Sequence, residues 1–336
     1  MMKRISVVVI CRNEVRNIQE CIEAIYASEV EDNVQLNVFI VDGMSDDGTR
    51  EKIAALRADF PTLRIIDNVE QLTPYAFNLG IHAADYDYIQ IVGARHILSA
   101  NYVQKCLDKL DSDSSAWCVG GRIENEYLNE NGKVIATAMG TPLGMGIGNF
   151  RTLNASGYID TVTSPMYPRF VFEKIGYFDE DLIRNQDDDF NFRVSKAGGK
   201  IYFENDIQLT YYVRGTYPGL WRQFFQYGYW KVFVNNKHKA VTTMRQLVPP
   251  AFVGYLLLAF LFSWFLPVLA LPLLFYLGLV ACVSFILSAK EKLPISELIL
   301  TFFILHVSYG LGYLKGIWEF LLLKKKPSNK QKRLSR

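Results

Sequence analysis

From Pro249 to Ser288 the chain runs through forty residues without one Asp, Glu, Lys or Arg. A single membrane span needs about 20 apolar residues to cross a hydrocarbon core of about 30 Å. The run therefore fits two spans, with Pro267 and Pro272 near the turn between them. A third apolar segment extends from about Leu298 to Leu323, is broken by Gly310 and Gly312, and carries His306, Lys315 and Glu319. Lys290 and Lys292 flank the second span, and the tail holds Lys324, Lys325, Lys326, Lys330, Lys332, Arg333 and Arg336. Basic flanks favour the cytoplasmic side. Two spans leave both basic groups there, whereas a third would carry the tail across, so the third segment is expected to be re-entrant or to lie in the membrane plane. An ionisable residue at membrane depth points to function, but a neutral His306 bonded to a neighbouring helix accounts for it more simply.

The residues before the apolar run read as an ordinary water-soluble domain. Ile5–Ile10 is a continuous apolar, largely β-branched run of the kind that forms a strand buried on both faces. Ile18, Ile22, Ile25 and Tyr26 recur at helical spacing. Leu36–Val41, Leu63–Ile66 and Tyr88–Val92 read as further strands. A helix opens at Gly48-Thr49 and runs to about Arg57, with Ser45 or Asp46 as its cap, and another covers Pro74 to Ala84. Alternating strands and helices predict an α/β fold with a mostly parallel sheet and helices on both faces. Ligands bind at the carboxyl ends of such strands. Cys11-Arg12-Asn13-Glu14, Asp42 and Gly93-Ala94-Arg95-His96 all follow strand ends and so converge on one edge. The glycine-rich stretch 120–165 reads either as a mobile loop over that edge or as a plain irregular connection. Tyr202–Val213 returns to strand character. Leu220–Val234, rich in Trp, Phe and Tyr beside Arg222 and Lys231, reads as an interfacial helix or as a core helix.

A net charge of +2 gives no reason to expect a nucleic-acid partner. The five cysteines show no metal-ligand spacing and fit reduced thiols facing the cytosol. Met1-Met2-Lys3-Arg4 leads into an apolar run too short for a signal peptide.

Several motifs, in order, resemble the family-2 glycosyltransferases of GT-A fold. They are Ile5-Ser6-Val7-Val8-Val9-Ile10-Cys11-Arg12-Asn13-Glu14, then Val41-Asp42-Gly43-Met44-Ser45-Asp46-Asp47-Gly48-Thr49, then Asn78-Leu79-Gly80 with Ala83-Ala84, then Ile175-Gly176-Tyr177-Phe178-Asp179-Glu180 followed by Asn185-Gln186-Asp187. The resemblance is closest to the membrane-anchored bacterial exopolysaccharide, succinoglycan-type enzymes, which share an Arg214…Gln223…Tyr227-Gly228 stretch. It implies inverting transfer of a sugar from a nucleotide sugar, a UDP-sugar by preference, to a lipid-linked saccharide in surface polysaccharide synthesis. The place implied is the cytoplasmic face of the inner membrane.

The resemblance also implies roles. Asp187 matches the catalytic base, which takes the proton of the acceptor hydroxyl; the like charges of Asp188 and Asp189 beside it would raise its pKa. Asp42 matches a residue that binds uracil or ribose. Cys11, Arg12 and Glu14 match the rest of the nucleotide pocket, with Cys11-Arg12 in place of the usual Thr-Tyr; Cys11 also fits a small buried strand residue. Asn78, Gly93, Arg95 and Arg214 complete the donor side. Gln226 and Trp230 have the spacing of an acceptor-side Q-x-x-R-W motif, with Tyr229 in place of Arg.

The largest departure from the family is at the metal site. The DxD that would hold Mg²⁺ or Mn²⁺ is absent, since the matching place reads Gly93-Ala94-Arg95; Asp85-Tyr86-Asp87 has the spacing but precedes the strand. No metal-ligating residue is assigned, and a divalent Mg²⁺ or Mn²⁺ is left open as the cofactor; Arg95, with His96 and Arg214, is expected to meet the phosphates. The domains expected are 1–217 for the glycosyltransferase, 218–248 for an interfacial region, 249–323 for the membrane segments and 324–336 for a basic tail. The alternative in a different class is a catalytically silent scaffold or nucleotide-sugar-binding subunit of a polysaccharide assembly complex, suggested by the lost DxD and by Gln186 where the family has Glu.

Overall fold

The computed structural model describes residues 2–147, 150–213, 215–242, 244–325 and 327. The chain divides into two units, Met1–Glu124 with Gly148–Tyr212, and Asn125–Ile147 with Val213–Arg336. In chain order the first unit runs β1 (Lys3–Cys11), α1 (Ile18–Tyr26), β2 (Val34–Asp42), α2 (Thr49–Leu56), β3 (Leu63–Asp67), α3 (Thr73–Ala83), β4 (Tyr88–Gly93), β5 (His96–Leu98), α4 (Tyr102–Ser112) and β6 (Ala116–Glu126). The second unit then contributes α5 (Glu130–Met139) and α6 (Pro142–Met145). The first resumes with β7 (Gly157–Ile159), β8 (Thr163–Pro168), α7 (Arg169–Ile175), α8 (Gln186–Lys196) and β9 (Lys200–Tyr212). The second ends with α9 (Tyr217–His238), α10 (Val248–Phe262), α11 (Leu271–Glu291) and α12 (Ile295–Gly316).

The sheet of the first unit has the order β3-β2-β1-β4-β8-β6-β9-β5, with β7 paired to β9. β3, β2, β1 and β4 are parallel, while β8 pairs antiparallel to both β4 and β6. The sheet is thus parallel over β3-β2-β1-β4 and antiparallel where β8 joins β4 and β6. The β1 run alternates between two cores, as side chains on a strand must. Ile5, Val7, Val9 and Cys11 pack with α1 and α4 residues on one face, and Val8 packs with Ala76, Phe77 and Ile81 of α3 on the other. Each such buried Val or Ile contributes ~1.5–3 kcal/mol, which explains an unbroken rather than alternating apolar run. Gly80 is required by this packing, because a Cβ there would sit 2.3 Å from a Val8 methyl. The cap expected at Ser45 or Asp46 is absent; Gly48 with φ 94° precedes α2, and the Asp47 carboxylate accepts from Thr49 N at 3.0 Å instead.

In the second unit, three helices are long and apolar enough to cross a membrane: Met244–Phe262, Pro267–Glu291 and Ile295–Leu322. The third is one continuous helix with a π-helical last turn, about 42 Å at 1.5 Å per residue. The expected break at Gly310 and Gly312 does not occur, and no re-entrant loop forms. These glycines serve close approach instead. A Cβ on Gly312 would sit 2.0 Å from the Phe225 carbonyl, one on Gly228 2.0 Å from that of Tyr309, and one on Gly310 2.6 Å from that of Pro249. α9, read from sequence as an interfacial or a core helix, packs backbone to backbone against α12. Tyr229 and Trp230 are buried, and Trp230, Phe233 and Phe320 form a ring cluster. Of the glycine-rich stretch 120–165, read as a mobile loop or a plain irregular connection, residues 125–147 belong to this unit and form α5 and α6. The Leu143 carbonyl accepts from His306 Nε2 at 2.8 Å, and His306 Nδ1 meets the Tyr276 hydroxyl at 2.9 Å. Nε2 donates to the carbonyl, and His306 is a doubly bonded packing residue.

Gly312→Ala is expected to destabilise the protein by ~1–3 kcal/mol, because the methyl meets a backbone carbonyl that cannot turn aside. Gly254→Ala and Gly278→Ala, where no atom lies within 4 Å of the added carbon, should be neutral or stabilising by up to about 1 kcal/mol. Thermal melts of the three variants in detergent check this.

Candidate active site

The carboxyl ends of β1, β2 and β4 lie side by side because β1 pairs in parallel with both neighbours, Cys11 opposite Asp42 and Ile10 opposite Gly93. The loops that follow are tied together by polar side chains. Asn13, with φ 56°, donates from Nδ2 to Asp46 at 2.9 Å and accepts from Asp46 N at 3.0 Å. Glu14 N donates to Thr49 Oγ1 at 2.9 Å. The carboxylate loop after β2 is thus largely structural. Asp42 is fully buried, and each of its oxygens accepts two hydrogen bonds: Oδ1 from Ser45 Oγ at 2.5 Å and Cys11 Sγ at 3.5 Å, Oδ2 from Ser45 N at 3.0 Å and Arg50 Nη1 at 2.7 Å. Burial alone would raise the Asp42 pKa, but the bonds from Ser45, Arg50 and Cys11 together hold it below the ordinary carboxylate value.

Three residues expected on the donor side make internal contacts. The Asp42 oxygens accept from Ser45, Cys11 and Arg50 and so organise the loop. Cys11 is 7 % exposed and committed to Asp42, with burial raising its thiol pKa. Asn78 is 6 % exposed, accepts from Phe178 N at 3.0 Å, and donates to Phe178 O and Glu180 Oε1, each at 2.9 Å. It clamps the 178–180 segment to α3. Arg12 is half-buried and lays its stem over Gly43, where a Cβ would meet it at 3.1 Å. Trp230 is 2 % exposed and packs in the core, and Gln226 is half-buried on α9. Arg214 lies outside the described residues.

The first unit contains a cleft of about 180 Å³ lined by Gly93 and His96 from the end of β4 and its successor, by Thr163, Ser164 and Pro165 of β8, and by Gln186, Asp187 and Asn191 of α8. Helical geometry sorts the acidic run that looked uniform in sequence. Asp189 is buried and paired with Arg193 Nε at 3.0 Å, Asp188 accepts from Asn185 Nδ2 at 2.7 Å, and Asp187 is exposed at the cleft. All three lie in the first turn of α8, where the helix dipole favours negative charge. The Oε1 of Gln186 is buried and has no hydrogen-bond partner among the described residues. An unmet buried acceptor costs ~1–3 kcal/mol, a cost that a ligand donor in the cleft would relieve.

The β8 wall was not foreseen, since a Thr-Ser-Pro segment carries no catalytic signature. Ser164 has φ 40°, a strained value for a non-glycine residue. Its carbonyl accepts from Gln90 Nε2 and, at 3.1 Å, from the Tyr102 hydroxyl, and its Oγ meets His96 Nδ1 at 2.7 Å. Loss of water around the His96 ring, and then the charge of Arg151, push its pKa down to about 4. His96 is therefore neutral at physiological pH and supplies no charge to phosphates, contrary to expectation. Arg151, also unforeseen, lies 5.4 Å from the Tyr211 ring that meets His96 edge-on.

At the strand end where a metal site was sought, Arg95 Nε bonds both oxygens of Glu14 at 2.8 and 3.0 Å. The Asp85-Tyr86-Asp87 pair lies at the other end of the sheet, bound to Arg4 at 2.5 and 3.1 Å. Among the described residues no group of three or more His, Cys, Asp or Glu is gathered to hold a metal ion.

A depressed carboxylate pKa gives stability that is present above the unfolded value of about 4 and lost as pH falls through the folded value. Arg50→Ala removes one of the bonds that depress Asp42, so acid unfolding followed by circular dichroism should begin at higher pH than in the parent. At neutral pH the same variant should lose ~1–3 kcal/mol.

Comparison with known proteins agrees with this architecture. The chain is 27 % identical over 248 residues, 73 % of its length and 74 % of the relative's, to the succinoglycan biosynthesis protein ExoA of Rhizobium meliloti. It is 26 % identical over 324 residues, 94 % of its length and 98 % of the relative's, to a dolichyl N-acetyl-alpha-D-glucosaminyl phosphate 3-beta-D-2,3-diacetamido-2,3-dideoxy-beta-D-glucuronosyltransferase of Methanococcus voltae. Among solved structures, the mannosyltransferase PcManGT of Pyrobaculum calidifontis, in complex with GDP-Man and Mn²⁺, shares the fold with a TM-score of 0.59 at 18 % identity, over 95 % of this chain and 88 % of that one. Residues 6–176 match the family described as Glycosyl transferase family 2, and the chain, with its parallel strand edge, its acid-bearing cleft and its apolar helices, belongs to that family.

Proposed function

We propose that the protein moves a sugar, with inversion, from a nucleotide sugar to a lipid-linked saccharide in surface polysaccharide assembly. The observation that carries this reading is Asp187, the exposed acid at the first turn of α8 in a cleft whose other wall is neutral. In the proposed step the acceptor hydroxyl oxygen attacks the anomeric carbon and its proton passes to the Asp187 carboxylate. The bond to the nucleoside diphosphate breaks with its electron pair on the phosphate oxygen. A carboxylate suffices as base because the hydroxyl acidifies as the new bond forms. The neutral His96 and the Ser164 hydroxyl would orient sugar hydroxyls, and Gln186 Oε1 would accept from one.

Three apolar helices support a membrane-borne acceptor, as does the acceptor named for the Methanococcus relative over nearly the whole chain. Lys290 and Lys292, which follow the second apolar helix and so return to the side of the catalytic unit, support a cytoplasmic catalytic side. A UDP-sugar is the donor preferred on family resemblance. Two neighbours of the fold both carry Mn²⁺, one with GDP-Man and the other with UDP, so the donor base is the point at which they differ.

Asp187→Asn should reduce transfer to membrane lipid extract by ~10²–10⁴-fold while nucleotide binding is retained. A panel of nucleotide sugars assayed on wild type and variant tests this. Transfer at the wild-type rate by the variant removes Asp187 as base, and no transfer by either protein with any donor favours the silent scaffold.

A further inference from the structure

The end of β4 holds a cation where a metal-assisted transferase would hold acids. We infer that Arg95, set by Glu14, binds the donor's diphosphate directly and supplies the charge compensation that a divalent ion would otherwise give. The inference rests on the nucleotide-sugar reading above and specifies how that site holds its phosphates.

Three observations carry it. First, Glu14 engages Arg95 only at Nε, with both carboxylate oxygens on that one nitrogen. Among the described residues Nη1 and Nη2 make no hydrogen bond, and the side chain is 37 % exposed. A guanidinium gripped at Nε still presents two parallel N–H groups, and that fork matches two phosphate oxygens. Glu14 is itself held from behind by Asn17 Nδ2 at 2.8 Å, so the fork is oriented before a ligand arrives and less freedom is lost on binding.

Second, the position is right for a leaving group. Gly93 and His96, on either side of Ala94 and Arg95, line the cleft that also holds Asp187. β1 and β4 are adjacent and parallel, so Arg12 and Arg95 follow the carboxyl ends of neighbouring strands. Arg12, too, makes no hydrogen bond among the described residues. Two guanidinium groups therefore flank the edge where an anionic ligand of an open α/β sheet binds.

Third, the groups of the neighbouring loops that could hold a divalent ion instead are used elsewhere. The carboxylates of the neighbouring loops are committed: Asp42 to Arg50 and Ser45, Asp46 to Asn13, Asp47 to Thr49, and Glu14 to Arg95. His96 is neutral. As the bond from the anomeric carbon to the diphosphate oxygen breaks, the electron pair stays on that oxygen, and preorganised Nη–H donors stabilise it. The acceptor's proton goes to Asp187, so charge and atoms balance without a metal.

The test is calorimetric titration of UDP and of GDP into the full-length protein in detergent, in EDTA and again with Mn²⁺, for wild type, Arg95→Ala and Arg95→Lys, with melting temperatures as the folding control. The expected result is wild-type binding of at least one nucleotide that is equal in EDTA and in Mn²⁺. Arg95→Ala should bind roughly 10- to 100-fold more weakly, and Arg95→Lys, which keeps the charge but not the fork, should recover part of the loss. Binding that disappears in EDTA and returns with Mn²⁺ overturns the inference but leaves the transferase reading intact. Unchanged binding by a folded Arg95→Ala overturns it equally. No binding of either nucleotide by wild type under either condition overturns both.

Discussion

The parallel pairing of β1 between β2 and β4 is the constraint on which the site depends. It sets Cys11 beside Asp42 and Ile10 beside Gly93, so three segments distant in sequence end at one edge with their loops in reach of each other. The pairing is secured by burial on both sheet faces, with Val8 against α3 and Val7 and Val9 against α1 and α4. Gly80 lets α3 come close enough for that packing. Without this register the Glu14–Arg95 pair and the Asn13–Asp46 tie would have no partners within reach.

Around that edge, ionic groups divide into those that hold the loops and those exposed at the edge. A buried carboxylate must be paired and hydrogen-bonded to remain charged. Asp42 and Asp189 meet that condition through Arg50 and Arg193, and both are therefore structural. Asp187 is exposed and lines the cleft. The same logic applies to cations: Arg4, Arg50 and Arg193 are fastened to acids, whereas Arg95 is fastened on one side only. A motif rich in acids thus yields one candidate reactive carboxylate, and a chain without a metal motif yields a candidate phosphate clamp.

The second unit follows a different physics. In α9 and α12 the glycines allow helix backbones to approach within reach of each other's carbonyls, the kind of packing that favours small residues where apolar burial alone cannot discriminate. Polar groups along these helices are matched in pairs, Tyr229 with Glu319 at 2.5 Å, Asn235 with Tyr313 at 3.0 Å and His306 with Tyr276. The outward faces of α10 and α11 are apolar and exposed, with Phe260, Trp264, Phe265 and Phe275 among them, as expected of helices whose solvent is lipid.

The amino-acid sequence by itself determined the α/β class, the four parallel strands, their convergent ends and the two apolar spans, because each is written in local periodicity and run length. β1 was legible since burial on both faces leaves an unbroken apolar run, and the absence of a DxD was legible since it concerns identity at one place. The tertiary structure decided what local pattern cannot carry. It decided which of Asp187, Asp188 and Asp189 faces the cleft, because that depends on the rotation of α8. Asp42 and Asn78 became internal clamps because their partners, Arg50, Phe178 and Glu180, were brought near by folding. The Ser164 wall depends on long-range pairing of β8 with β4, and the glycine-rich segment 125–147 became α5 and α6 because His306, far along the chain, supplies a donor for the Leu143 carbonyl. Sequence patterns report what each segment prefers alone, and the partners that satisfy buried polar groups are chosen only when the chain closes on itself.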